Sequence, residues 1–235
     1  MTIKQIAVRL GTVLVALSLA ACAGTSEQQQ KMEDQNSGFL KDYSKLTLGK
    51  DAQGNPVRTW VSPKLTPANY NAILLEPLIF YPEPRPTEKV SADALNQMVA
   101  YANETLRTAL GKRFVLVDKP QPGAVRLKAA ISAVASENEG LAPYQYVPIA
   151  LIATTVSRAA TGSPQRAFIV GESQMTDSVS GELLGQRVKV FTGEGGKLKE
   201  VGGKDQITLD TVKPVLDGVA ASVLPNLEKF VKPKQ

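Results

Sequence analysis

From Val125 onward the odd positions Val125, Leu127, Ala129, Ile131, Ala133 and Ala135 are apolar, while Arg126, Lys128 and Ser132 occupy the even ones. Alternation with period two predicts a strand buried on one face only, and the small residues leave room for a helix to approach that face. The same reading covers Arg166 to Asp177 and Leu183 to Phe191. Between them Ser178-Val179-Ser180-Gly181-Glu182 predicts a hairpin in which Gly181 supplies a positive φ. Asn71 to Phe80 (NAILLEPLIF) is nearly all apolar and reads as one strand, with Pro77 tolerated at an edge or bulge. Val57 to Val61, carrying Trp60, and Phe114 to Val117 read as short strands.

Elsewhere the period lengthens to that of a helix. After the proline-rich loop YPEPRPTE, Ser91 is placed to cap a helix whose apolar residues Leu95, Met98, Val99, Ala102, Leu106, Ala109 and Leu110 recur at three and four. Gly111 is expected to end it in the left-handed conformation. A second helix is predicted from Val212, Val215, Leu216, Val219, Ala220, Val223, Leu224, Leu227 and Phe230. Pro214 should fall in its first turn, and Pro225 should bend or divide it. Together these elements predict an α+β fold, a two-layer sandwich in which two amphipathic helices cover one face of a mostly antiparallel sheet. One stretch resists placement. Leu141 to Ala160 (LAPYQYVPIALIATTVSRAA) concentrates tyrosine and branched apolar residues where a connection is expected. It is either a third buried helix over Ile149 to Arg158, a loop folded on the sheet, or an exposed contact patch, in which case Tyr144 and Tyr146 are the candidate partner contacts.

The N-terminus has a different pattern. Lys4 and Arg9 precede an apolar run, Leu10 to Leu19, which leads directly into Ala20-Ala21-Cys22. The run is too short for a hydrocarbon core of roughly 30 Å, which needs about 20 apolar residues, and reads as a secretory signal. Leu19-Ala20-Ala21-Cys22 resembles the lipobox of bacterial lipoproteins, and that resemblance implies a diacylglyceryl group on the Cys22 thiol and cleavage before it. From Ala23 to Ser37 the sequence AGTSEQQQKMEDQNS has almost nothing apolar and reads as a flexible tether. The expected organisation is a signal peptide at 1–21, a lipidated cysteine and tether at 22–37, and one α+β domain at 38–235.

Composition then narrows the chemistry. The signal holds two of the 27 basic residues and none of the 22 acidic ones, so the mature balance is 25 against 22, or +3. Mild basicity of that size makes a solvated surface and no nucleic-acid groove. The chain has no histidine, and the lipobox resemblance implies that its sole cysteine carries lipid. Ser-His-Asp, Cys-His and Cys/His zinc sites are thereby excluded, whereas carboxylate-only catalysis and oxygen-ligated hard cations remain open. Asp177 and Glu182 flank the predicted hairpin, where turn chemistry explains them as well as acid–base work does. Gly193-Glu194-Gly195-Gly196-Lys197 lacks the spacing of a phosphate loop and reads as a flexible loop. Lys229, Lys232 and Lys234 read as a solvated end within reach of anionic headgroups.

Two stretches carry a family resemblance. Ser37-Gly38-Phe39-Leu40, then Asp42-Tyr43 and Leu46, opens the domain, with its apolar residues on one side of a short helix or irregular turn that clasps the N-terminus to the core. Glu172 to Glu182 contains Asp177-Ser178 and Gly181-Glu182, with Ser180 where the family pattern has threonine. In this order behind a lipobox they resemble the Gram-negative lipoproteins grouped as domain of unknown function 3313. The resemblance implies an envelope lipoprotein and supplies no activity. Ala23, where enterobacterial lipoproteins retained at the inner membrane commonly have Asp, implies export to the outer membrane, facing the periplasm. The expected function is a non-catalytic binding or accessory subunit of an envelope complex, with the membrane and an envelope protein as partners and no cofactor or metal. The alternative is a carrier of a small apolar or lipid ligand in the cleft between sheet and helices.

Overall fold

The computed structural model describes residues 36–51, 56–86, 90–138, 165–197 and 208–234. In chain order these form β1 (Thr47–Lys50), β2 (Pro56–Val61), β3 (Ala72–Leu75), β4 (Ile79–Phe80), α1 (Ala92–Arg113), β5 (Val115–Val117), β6 (Ala124–Asn138), β7 (Gln165–Asp177), β8 (Leu183–Lys197) and α2 (Leu209–Leu227). The eight strands make one open sheet in the order β1-β2-β8-β7-β6-β3-β5, with β4 beside β6. Cys22, Tyr144, Tyr146 and the expected helix at Ile149 to Arg158 lie outside the described residues.

The long strands pair as their alternation predicts. β6 runs antiparallel to β7, and β7 to β8, across the hairpin whose Gly181 has φ of 75°. β2 and β1 continue the antiparallel half. The other end differs from expectation, because β3 lies parallel to both β5 and β6, and β4 parallel to β6. Parallel neighbours need a crossover, and α1 supplies it between β4 and β5. The sheet is therefore mixed.

Asn71 to Phe80 is two strands, broken at Glu76-Pro77-Leu78. Pro77 has no N–H for the ladder, and the break leaves the Leu78 backbone to find other partners. Asn103 of α1 provides them, accepting from the Leu78 N–H at 2.7 Å and donating to its carbonyl at 2.9 Å.

In α1 the Ser91 hydroxyl accepts from the Ala94 N–H at 3.1 Å, which satisfies one of the free donors of the first turn. Ala94, Met98, Ala102, Leu106 and Leu110, spaced by four, form the buried stripe. Gly111 does not cap this helix. It lies inside it, and α1 runs on to Arg113 because Phe114, fully buried, fixes the exit, while the Lys234 Nζ and backbone N–H bond the Gly111 and Arg113 carbonyls at 2.6 and 2.8 Å. In α2 the helix begins earlier than Pro214 suggests, so that proline falls in the second turn. Pro225 does not divide it, and the helix continues through it to Leu227.

β6 turns Val125, Leu127 and Ile131 towards both helices, where Leu106, Leu110, Val215, Leu216 and Leu227 meet them. The alternation is interrupted by a register shift between Ile131 and Ala133, with Ser132 buried at the bulge. Gly193 to Lys197, expected as a flexible loop, belongs to β8, whose Lys197 pairs with Arg166 of β7. Ser37–Gln235 form a single compact unit.

Candidate functional site

Strand alternation distributes the polar residues of β7 and β8 between two faces. Gly171, Ser173 and Met175 of β7 stand beside Lys189, Arg187 and Gly185 of β8, in register with Ile131, Ala129 and Leu127 of β6. Because Leu127 and Ile131 meet the helices, Arg187 and Lys189 also point into the space between sheet and helices. Two cations thus occupy positions that the pattern would give to apolar residues.

A cavity of about 320 Å³ lies there. On the sheet side its walls include Leu127, Ile131, Met175 and Phe191; on the helix side they include Ala102, Leu106, Leu216 and Val223. Gly171 helps to shape it, because a Cβ at that position would come within 2.7 Å of the Phe191 ring, so only glycine lets the ring lie against β7. The charged residues bordering the cavity are Lys50, Arg187, Lys189 and Lys229 against Asp51 and Glu172.

Lys189 has a counter-ion. Its Nζ lies 2.9 Å from Asp51 Oδ2, with side chains 5% and 1% exposed, and 4.8 Å above the centre of the Phe191 ring. Arg187 is half-buried, and among the described residues its Nε has no hydrogen-bond partner. Burial lowers its pKa by penalising the charged form, and the Asp51 carboxylate opposes that effect.

Behind the sheet the opening segment forms a clasp. Tyr43 donates a 2.6 Å hydrogen bond to Glu172 Oε2, while its oxygen accepts from the Gly38 and Leu40 N–H groups at 3.1 and 3.2 Å. Leu40 is buried. Arg58 lies 5.9 Å over the Tyr43 ring, and Lys45 lies 4.6 Å over Trp60. Burial, then the Glu172 bond, raises the Tyr43 pKa. The segment is an irregular turn, and Glu172 belongs to the second of the two family-like stretches.

The hairpin carboxylates serve the turn. Asp177 Oδ1 accepts from the Val179 and Ser180 N–H groups and the Ser180 hydroxyl, and Oδ2 accepts from Tyr70. The Ser180 N–H heads the causes that hold the Asp177 pKa below its ordinary value. Glu182 makes an exposed ion pair with Lys64 at 2.7 Å. Lys229, Lys232 and Lys234 are exposed, and Lys234 is committed to the end of α1. Among the described residues no three His, Cys, Asp or Glu side chains gather as metal ligands. Asp51, Arg187 and Lys189 do not stand out in the sequence pattern as site residues. Their signal was weak but present, since Arg187 and Lys189 share the parity of Phe191 in a strand that alternates.

Curated relatives include the uncharacterized lipoprotein YdcL of Escherichia coli strain K12 and its counterpart in Escherichia coli O157:H7, each 29% identical over 205 residues, covering 87% of this chain and 88% of theirs. Among solved structures, the PelC dodecamer from Paraburkholderia phytofirmans matches 76% of this chain and 98% of its own, at 14% identity and a TM-score of 0.35. The model of a protein family of unknown function, DUF3313, matches residues 35–223. That match takes in the clasp, the hairpin, most of both walls of the cleft and the Tyr43–Glu172 bond, and the chain belongs to the DUF3313 family.

Proposed function

We propose that this chain is an envelope lipoprotein, anchored through lipid on Cys22 at the periplasmic face of the outer membrane, whose domain binds a small apolar or lipid ligand between sheet and helices without catalysing a reaction. The cavity of about 320 Å³ between β6, β7, β8 and the two helices carries this reading. Small-molecule sites typically enclose about 300–1,000 Å³ of mostly apolar surface with a few polar groups, and the walls here have that character. The Escherichia coli relatives are named as lipoproteins, which supports the lipid anchor. So does the lipobox, and no helix among the described residues is long and apolar enough to cross a membrane.

The test is native mass spectrometry of the mature protein purified gently from its own membrane. A carrier leaves the cell with ligand in its cleft, and the spectrum should show a reproducible mass above that of the lipidated chain. Repeated recovery of the bare chain under conditions that preserve other lipid carriers would count against the reading.

A second observation favours docking to another envelope protein, as a binding or accessory subunit of a complex. β1 ends the strand order, all four of its residues are exposed, and Leu48 is 61% exposed. A short exposed edge strand can accept a strand from a partner. In-cell crosslinking from Leu48, and separately from Tyr144 and Tyr146, tests this. Capture of the same envelope protein from Leu48 and from either tyrosine supports a docking face, and no capture from any of the three counts against it.

A further inference from the structure

Resting on the cleft-binding reading above, we infer that the ligand is a single-chain amphiphile with an anionic head, a carboxylate or a phosphate, received by Arg187 beside Lys189. The cavity that Arg187 borders is walled largely by carbon. A half-buried guanidinium bordering such a cavity, with Asp51 as its charged neighbour, is costly to desolvate further unless an anion meets it. Lys189 does not need that anion, since Asp51 and the Phe191 ring already hold it. Asp51 is the acidic neighbour on this face, and it faces two cations. Glu172 also borders the cavity, but by strand alternation its side chain belongs to the opposite face, where Tyr43 holds it. Exposed Lys50 and Lys229 stand at the rim and add to the positive field. Arginine suits the task, because its planar fork meets a carboxylate or phosphate with parallel hydrogen bonds.

Size then limits the tail. A volume of about 320 Å³ stands at the small end of ligand sites, which enclose about 300–1,000 Å³, and suits one short acyl chain better than the paired chains of a phospholipid. The lining residues Leu127, Ile131, Met175, Leu216 and Val223 form an apolar wall along which such a chain can lie.

The experiment is isothermal titration calorimetry on the chain beginning at residue 22 with Cys22→Ser, using decanoate, decyl phosphate, decanol, decyltrimethylammonium and inorganic phosphate below their aggregation thresholds. The expected result is that decanoate and decyl phosphate bind at least about tenfold more tightly than decanol or decyltrimethylammonium, with inorganic phosphate weaker still. Arg187→Met should lower the affinity of the two anions by about tenfold or more while leaving decanol unchanged, and Arg187→Lys should recover part of the loss. Equal binding of all four decyl compounds would overturn the anionic head while leaving the cleft reading in place. Inorganic phosphate binding as tightly as decyl phosphate would overturn the tail. Failure of every decyl compound to bind would remove both readings. The ligand series on the chain with native Arg187 decides the matter even where Arg187→Met does not fold.

Discussion

Tyr43 and Glu172, separated by 129 positions in the chain, are joined by a 2.6 Å hydrogen bond that fastens the start of the domain to the middle of its sheet. Glu172 is 2% exposed, so its carboxylate depends on protein donors. Tyr43 also gathers the Gly38 and Leu40 N–H groups, so one hydroxyl organises the clasp from both sides. Tyr43→Phe keeps the ring under Arg58 and removes only that hydroxyl. It should cost about 1–3 kcal/mol, read as a lower midpoint in urea with an unchanged slope. Amide exchange should rise over residues 37–46 while β6 keeps its protection. An unchanged midpoint would mean that the clasp does not depend on this bond.

The Asp51–Lys189 pair offers a sharper contrast. Both side chains are nearly inaccessible, and a buried pair loses far more from removal of one partner than from removal of both. Asp51→Asn should destabilise the domain by about 3–5 kcal/mol, because it leaves Lys189 charged among apolar walls next to Arg187. Adding Lys189→Met should restore much of that loss. Additive losses in the double variant, measured by urea unfolding, would show that the two residues act separately.

Asn103 shows what the sequence pattern could and could not reveal. The helix was legible from its apolar stripe, and so were the β6 alternation and the Gly181 hairpin, because each records burial of one face over a few consecutive residues. Asn103 lies outside that signal. Its work is to satisfy the Leu78 backbone across a strand break, and NAILLEPLIF reads as one strand until that partner is known. The parallel pairing of β3 was hidden for the same reason, since it depends on which distant strand lies beside it. The cleft was half legible: alternation set Arg187 and Lys189 on one face of β8, but nothing local told which face the helices would cover. Asp51 falls in no periodic stretch, and its partner is supplied only by the fold. Asn103→Leu should therefore cost about 2–3 kcal/mol in urea midpoint, despite being more apolar and a better helix former, because two backbone groups lose their partners.

Stability should also depend on alkaline pH through Tyr70. Burial, followed by its bond to Asp177, raises the Tyr70 pKa from 10.0 to about 12. A group whose folded pKa is raised adds stability that is complete below its unfolded pKa. That stability is lost as pH rises through the window between the two values, here from about 10 to about 12. Comparison with Tyr70→Phe isolates the effect from lysine titration. The difference in unfolding free energy between the two proteins should be constant below pH 10 and shrink towards pH 12. A difference that stays flat across that window would mean that Tyr70 titrates normally.

The anchor predicts a separation of stability from location. Multiple acyl chains on Cys22 would hold the protein at a membrane effectively without release, since each buried CH₂ contributes about 0.8 kcal/mol and one chain alone is marginal. The domain does not draw on that energy, because the clasp that begins its packing starts at Ser37 and Ser37–Gln235 form their own compact unit. Cys22→Ser should therefore move the protein from the membrane fraction to the soluble periplasmic fraction, with an urea midpoint within error of the lipidated form. If the variant stays with the membrane after a high-salt wash, something besides lipid holds it there. Retention that disappears in salt would instead point to Lys229 and Lys232, exposed at the end of the chain, acting on anionic headgroups at about 1 kcal/mol each.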